Sequence, residues 1–369
     1  MRRAFKYRLY PTKAQKIALN DLLTGARRLY NAALEQRRWM WRDHGISVGY
    51  LDQAAQLQEA RDADEKLKLL NYSACQDLLR RLQKSFDAFF GRVKKGQTPG
   101  YPRFKGADRF DSVTFPAYGD GVNLSEKLYV QNVGWIKIKL HRAVEGKIKT
   151  VSLKREAGDW TAIFSCDEVE PAFWHPTSDR EVGIDMGLTH FAVLTTGEKI
   201  ENPRWYREAE ARLKDAQREL SSKKRGSQRR KKAKRRVARL HAKTANQRND
   251  FQHKLAHRIV SENSLISVED LRPKEMVSDS SRGLAKSIQD ASWGKFLSIL
   301  GAKAAEAGRR FVRVPPRGTS STCLQFGKYR KKALSERMHS CECGLVLDRD
   351  VHASHHILRL GRSLQVSTS

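Results

Sequence analysis

Three acidic residues interrupt or border elements that are otherwise apolar. Asp185 lies within EVGIDMGLTHFAVL (181–194), which reads as a strand through Val182, Ile184, Met186, Leu188, Phe191, Val193 and Leu194. Glu269 stands at the end of LISVED, a second short strand, and Asp350 stands in LDRDVHASHHILRL, a helix begun by acids. A lone ionised carboxylate in a mostly buried strand is costly unless something pairs with it or coordinates it. Strand ends and helix starts are where α/β folds build their sites. Three carboxylates that converge repel one another unless cations sit between them, and hard oxygen ligands suit Mg²⁺ or Mn²⁺. Two such ions about 3.5–4 Å apart can activate a water and stabilise the leaving oxygen of a phosphodiester. The alternative is that each acid pairs locally with an arginine or caps a helix. Spacing alone leaves both open.

The charge balance favours a phosphodiester substrate. The 369 residues carry 71 Lys+Arg against 41 Asp+Glu, a formal net charge of +30. That excess is beyond what solubility needs and predicts a polyanionic partner, most often nucleic acid and less often an anionic membrane. The densest basic run is SSKKRGSQRRKKAKRRVARLH. It predicts a turn at Gly226 and Ser227, then a helix with an apolar seam (Val237, Leu240, Phe251, Leu255, Ile259) and cations elsewhere. Arg229, Arg230, Lys231, Lys232, Arg235 and Arg236 are the candidate phosphate contacts. No run of about eighteen apolar residues is present, so no membrane span is expected, and MRRAFKYRLYPTK has no apolar stretch of the kind a secretory signal needs. Five cysteines, three of them between Cys323 and Cys343, suit a metal site in a reducing cytosol better than disulfides.

The elements that must position these residues fall into three kinds. Residues 1 to 10 read as a strand ending at Pro11, and from Thr12 to about Val93 the apolar spacing is helical. After KKGQTPGYPRFKG come short alternating runs, VTFPAY, LYVQ, WIKIKLH, IKTVSLKRE and WTAIFSCDEV, which predict a small β-barrel or curled sheet. From Val182 strands and helices alternate, with helices expected from about Trp205 to Leu220 and from about Ser287 to Ala307, and a strand in RRFVRVPP.

GIDMGLTHFAVL, ISVEDL and DRDVHASHHIL resemble the three motifs of the RuvC-like nuclease core of the TnpB family, transposon-encoded relatives of type V CRISPR effectors. FKYRLYPTKAQ, GYPRFKG, GWIKIKLHR, RRKKAKRRVARLHAKTANQRNDFQHKLAHRIV and DASWGKFLSIL resemble further blocks of that family in the same order, so the likeness spans nearly the whole chain. The resemblance implies an α/β fold: an RNase H-like RuvC nuclease domain (179–369), a β-barrel wedge domain (1–10 and 99–178) and a helical recognition insertion (11–98). It implies an RNA-guided DNA endonuclease that takes a guide RNA from the transposon end and cuts target DNA beside a short flanking motif. By motif, Asp185, Glu269 and Asp350 match the three catalytic acids, which would ligate Mg²⁺ or Mn²⁺. Asp350 rather than Asp348 matches because the family's third acid is the second Asp of DRD. Lys137, Lys139 and Arg142 of the barrel join the basic helix as candidate RNA or heteroduplex contacts, and Asn71, Tyr72 and Gln76 as contacts to the flanking motif. The expected location is cytoplasmic, beside the nucleoid.

Two departures stand against a full match. The family's two Cys-x-x-Cys pairs bind zinc, but here Phe326 replaces one cysteine and Cys341 and Cys343 are one residue too close. A degenerate zinc-finger-like insertion at about 318–347 is left, with Cys323, Cys341, Cys343 and His339 as possible ligands, or a loop held by apolar packing that includes Phe326. His352 stands where the family commonly has Asn, with His355 and His356 at helix spacing; all three either crowd the metal site or lie exposed. A nuclease-inactive RNA-guided DNA-binding transcriptional regulator is therefore the second reading, and a DNA transposase with its own acidic triad the third.

Overall fold

The computed structural model describes residues 1–107, 109–170, 180–330, 333 and 336–366. The chain divides into two compact units, Met1–Glu170 and Pro171–Ser369.

The first unit opens with strand β1 (Arg3–Tyr10), in which Phe5, Tyr7 and Leu9 are buried while Lys6, Arg8 and Tyr10 face out. That alternation is what a sheet covered on one face requires. Thr12 then caps helix α1 (Lys13–His44) in a reciprocal capping box with Gln15. Gly45, at φ 67°, ends the helix. Helices α2 (Tyr50–Ala55), α3 (Leu57–Ala63), α4 (Glu65–Lys68) and α5 (Tyr72–Lys94) complete the helical segment. Strands β2 (Ser112–Phe115), β3 (Val122–Leu124), β4 (Lys127–Val130), β5 (Gly134–Lys139), β6 (Lys147–Glu156) and β7 (Asp159–Asp167) follow. With β1 they form a nearly closed barrel-like sheet in the order β2-β6-β7-β1-β5-β4-β3. The alternating runs predict all of these strands except β3, a three-residue piece whose sequence is too short to show a period.

The second unit is built on strands β8 (Arg180–Met186), β9 (His190–Leu194) and β10 (Lys199–Glu201). The hairpin of helices α6 (Trp205–Ser222) and α7 (Gln228–Glu262) leads to strand β11 (Asn263–Glu269). Helices α8 (Pro273–Ser278), α9 (Arg282–Ala291) and α10 (Trp293–Glu306) precede strand β12 (Arg310–Val314). The small hairpin β13 (Met338–Ser340) and β14 (Val346–Asp348) runs directly into the last helix, α11 (Arg349–Val366). The sheet order is β10-β9-β8-β11-β12; β9 runs antiparallel to both of its neighbours, β8 and β10, and β11 and β12 run parallel to β8. This is an RNase H-like arrangement. Val182, Ile184, Ile266 and Val268 face the core that α7 and α10 supply through Leu255, Ile259, Phe296 and Leu300. The structure corrects two elements: the single strand expected over 181–194 is an antiparallel hairpin, β8 and β9, with Leu188 in the turn between them, and the helix expected from Ser287 to Ala307 is two. Ser292, at φ 56°, breaks it, and Gln252 of α7 donates to the carbonyls of Ala291 and Ser292 at the break.

Candidate active site

Strand register brings two of the three acids together. β11 pairs with β8 in parallel, with Ser267 opposite Gly183 and Val268 opposite Ile184. Glu269 therefore follows in line with Asp185 on the adjacent strand, at the carboxyl ends of both. Residues directly opposite in register share a face. Asp185 and Glu269 thus lie on the face with Gly183 and Ser267, opposite the α7–α10 core. Helix α11 covers that face. A Cβ on Gly183 would run into the backbone of Ser354 and Leu358, and one on Gly361 into the side chain of Ser267. The two glycines let α11 lie directly on β8 and β11. Asp350, in its first turn, is carried to the end of the sheet where Asp185 and Glu269 stand.

The electrostatics show how the acids meet. Burial, and then the charges of Glu269 and Asp350, push the Asp185 carboxyl well above the ordinary carboxylate range, while the Arg349 guanidinium opposes them. Among the described residues no hydrogen bond or salt bridge reaches the Asp185 carboxylate. Burial also raises Glu269, which accepts a 2.5 Å hydrogen bond from Thr319 Oγ1. Asp350 takes a 3.3 Å contact from Arg349. Asp348 is occupied otherwise: its carboxylate caps α11 by accepting from the amides of Asp350 and Val351, and it pairs with Lys199 at 2.6 Å. Local pairing with an arginine thus describes Asp350 in part, but neither Asp185 nor Glu269, whose side chain accepts from Thr319. A buried, all-oxygen donor set with mutual repulsion and no direct cationic partner on Asp185 fits a hard divalent cation. Thr319 and Asp348 are the residues that spacing missed, since nothing in RGTSSTC or LDRD marks a hydroxyl or carboxylate as a support.

The cysteines also converge. The sulfurs of Cys323, Cys341 and Cys343 lie within 4.8 Å of one another. His339 does not join them: it is buried and stacks on His352, with ring centroids 3.7 Å apart. Phe326 is 66% exposed, so the loop is not held by packing around it. His352 and His356 are buried and only His355 is exposed, which differs from both expectations for this trio.

The basic residues divide by use. Arg230 donates to the carbonyls of Leu220 and Lys223, tying off the end of α6, and Arg236 pairs with Glu219 at 2.6 Å. Arg229, Lys231, Lys232 and Arg235 are exposed on α7. In the barrel, Lys137 and Lys139 face outward opposite Tyr10 and Arg8, and the Arg142 guanidinium lies over the Phe5 ring. Asn71 is not available to a flanking motif: it caps α5 and donates to Asp120 and Gln131. Tyr72 remains exposed and Gln76 half-buried.

Comparison with known proteins completes the description. The family described as "Probable transposase" matches residues 165–279, a "Cas12f1-like, TNB domain" matches residues 293–357, and a "Helix-turn-helix domain" matches residues 1–45, which fold here as β1 and α1. The chain is 37% identical over 372 residues to a "Putative RNA-guided DNA endonuclease" of Streptomyces pristinaespiralis, covering 98% of this chain and 90% of that one. It is 28% identical over 381 residues to the "Putative RNA-guided DNA endonuclease InsQ" of Escherichia coli (strain K12), covering 98% and 92%. The fold matches that in a cryo-EM structure of a Cas12f1-sgRNA-target DNA complex, with a TM-score of 0.60 at 13% identity over 97% of this chain and 98% of that one. No described helix is long and apolar enough to cross a membrane. The chain belongs to the TnpB family of transposon-encoded proteins.

Proposed function

We propose that this chain is an RNA-guided DNA endonuclease with one phosphodiester-cleaving site made of Asp185, Glu269 and Asp350. The observation that carries the reading is the β8–β11 register, which sets Asp185 beside Glu269 under the helix that bears Asp350. Asp185, Glu269 and Asp350 would hold Mg²⁺ or Mn²⁺, which would supply activation of a water and a counter-charge for the leaving oxygen. Asp185 offers its carboxylate from the strand end without a competing protein donor. Thr319 fixes the orientation of Glu269. Asp348 orders the start of α11 and so the position of Asp350. The exposed cations of α7 and the barrel's Lys137, Lys139 and Arg142 hold RNA and heteroduplex backbone, while base pairing with a guide RNA from the transposon end reads the target sequence. Residues 1–10 and 99–178 serve as the wedge domain, 11–98 as the recognition insertion and 179–369 as the nuclease domain. The cysteines hold Zn²⁺, and the protein works in the cytoplasm beside the nucleoid.

The test is cleavage of a plasmid library that carries one target beside randomised flanking bases, with the protein co-expressed with its downstream DNA. Wild type and Asp185→Ala are compared in Mg²⁺. Loss of library members with one flanking motif, in wild type only, is the expected result. Motif-specific binding by both proteins with cutting by neither would replace this reading with the nuclease-inactive regulator.

A further inference from the structure

The cysteine cluster has one ligand too few for a structural zinc site, which is four-coordinate with N or S donors. Three sulfurs meet, and no fourth donor joins them among the described residues. Phe326, at the position where the family has a cysteine, is exposed and offers no metal donor. His339 is held in its stack with His352, the two planes 8° apart. Glu342, between two of the cysteines, pairs with Lys328 at 2.8 Å.

The rest of the site is nevertheless built. The amide of Gly327 bonds the carbonyl of Cys323 at 3.0 Å, and that of Gly344 bonds the carbonyl of Cys341 at 2.9 Å. Both glycines have positive φ, at 66° and 84°. These are two tight turns, a five-residue one from Cys323 and a four-residue one from Cys341. The amides of Gln325 and Phe326 point at the sulfur of Cys323, and that of Leu345 at the sulfur of Cys343. The sulfurs of Cys323 and Cys343 are 3.6 Å apart. Two sulfurs bound at about 2.3 Å to one tetrahedral ion would be about 3.8 Å apart.

We propose that Cys323, Cys341 and Cys343 bind one soft divalent ion through three thiolates and leave its fourth position to a small donor from solution. Cys341 and Cys343 are partly exposed, so solutes reach that side. The ion is consequently more exchangeable than in a closed four-cysteine site. This inference refines the Zn²⁺ assignment and is independent of the nuclease reading, because it is tested on a chain that lacks Asp185.

The full-length Asp185→Ala chain, reduced and stripped of metal, is titrated with Co²⁺, whose visible bands report its ligands. One equivalent should bind with a thiolate charge-transfer band, and added imidazole should shift the d–d bands by filling the open position. Phe326→Cys should close the site, abolishing the imidazole shift and tightening Co²⁺ binding at least about tenfold. Cys341→Ser should lose the charge-transfer band; Cys75 and Cys166 are fully buried and do not compete. Bands indifferent to imidazole in the parent chain would overturn the proposal by revealing a fourth protein ligand. So would a parent chain that takes up no Co²⁺ while Phe326→Cys binds it, which shows the loops intact but three thiolates insufficient.

Discussion

Asp185 makes the folded protein pay for its site in a way that pH exposes. Its folded carboxyl is held well above the ordinary range by burial and by Glu269 and Asp350. The folded state therefore binds this proton more tightly than the unfolded chain does. Without a cation, stability is greatest below the unfolded value of about 3.9 and declines as pH rises through the folded one. At neutral pH in chelator, Asp185→Asn should accordingly raise Tm by a few degrees, on the order of 1–3 kcal/mol. Mg²⁺ should raise the wild-type Tm and leave the variant unchanged, and cleavage should vanish in the variant. A wild-type Tm indifferent to Mg²⁺ at pH 7 would remove Asp185 from the metal site. Thr319 acts on the same chemistry through Glu269. Its hydroxyl bond lowers a carboxyl that burial raises. Thr319→Val should move the acid limb of the pH–rate profile to higher pH and cut the rate by about 10–100-fold, as losses of ligand-supporting hydrogen bonds do. Thr319→Ser should restore both; an unmoved acid limb in Thr319→Val would reduce Thr319 to packing.

At the scale of elements, the close contact of α11 with β8 and β11 governs whether Asp350 reaches the other two acids. Gly183→Ala should cost about 1–3 kcal/mol through overpacking and lower Tm by several degrees. It should also depress cleavage at temperatures where the variant stays folded, because the displaced helix carries the third acid. Gly283→Ala in α9, where a Cβ meets open space, should leave both nearly unchanged or stabilise slightly. Equal losses in the two variants would refute the close-packing argument. Such contacts explain how far the sequence could be read. Periodicity marked most of the strands and helices, and a strand covered on both faces still reads as apolar throughout, so Asp185 stood out. Gly183 is visible two residues before Asp185, but its reason lies on α11, far away in sequence. The same holds for Ser292: its left-handed turn is fixed by Gln252, and local propensity gave one helix where there are two.

Across the whole molecule the net charge of +30 announces a polyanion, but it does not say which cations meet it. A guanidinium that caps a carbonyl and one that awaits a phosphate look alike in sequence. The structure separates them: Arg230 closes the α6–α7 turn, whereas Lys232, Arg235, Arg239 and Lys243 recur at helical spacing along α7 and line one shallow concavity with Arg236. The two kinds should fail differently. Each phosphate contact removed lowers the slope of log affinity against log salt by about 0.7 on single strands and about 0.9 on duplex. Lys232→Ala with Arg235→Ala should therefore flatten that slope for guide RNA by about 1.4 while leaving Tm unchanged within about 1 °C. Arg230→Ala should leave the slope nearly intact and lower the stability of the hairpin, by about 1–3 kcal/mol for the two carbonyls it serves. Measured together over a range of salt, a flattened slope in Arg230→Ala and none in the double variant would reverse the assignment and move the RNA-binding face to the other side of α7.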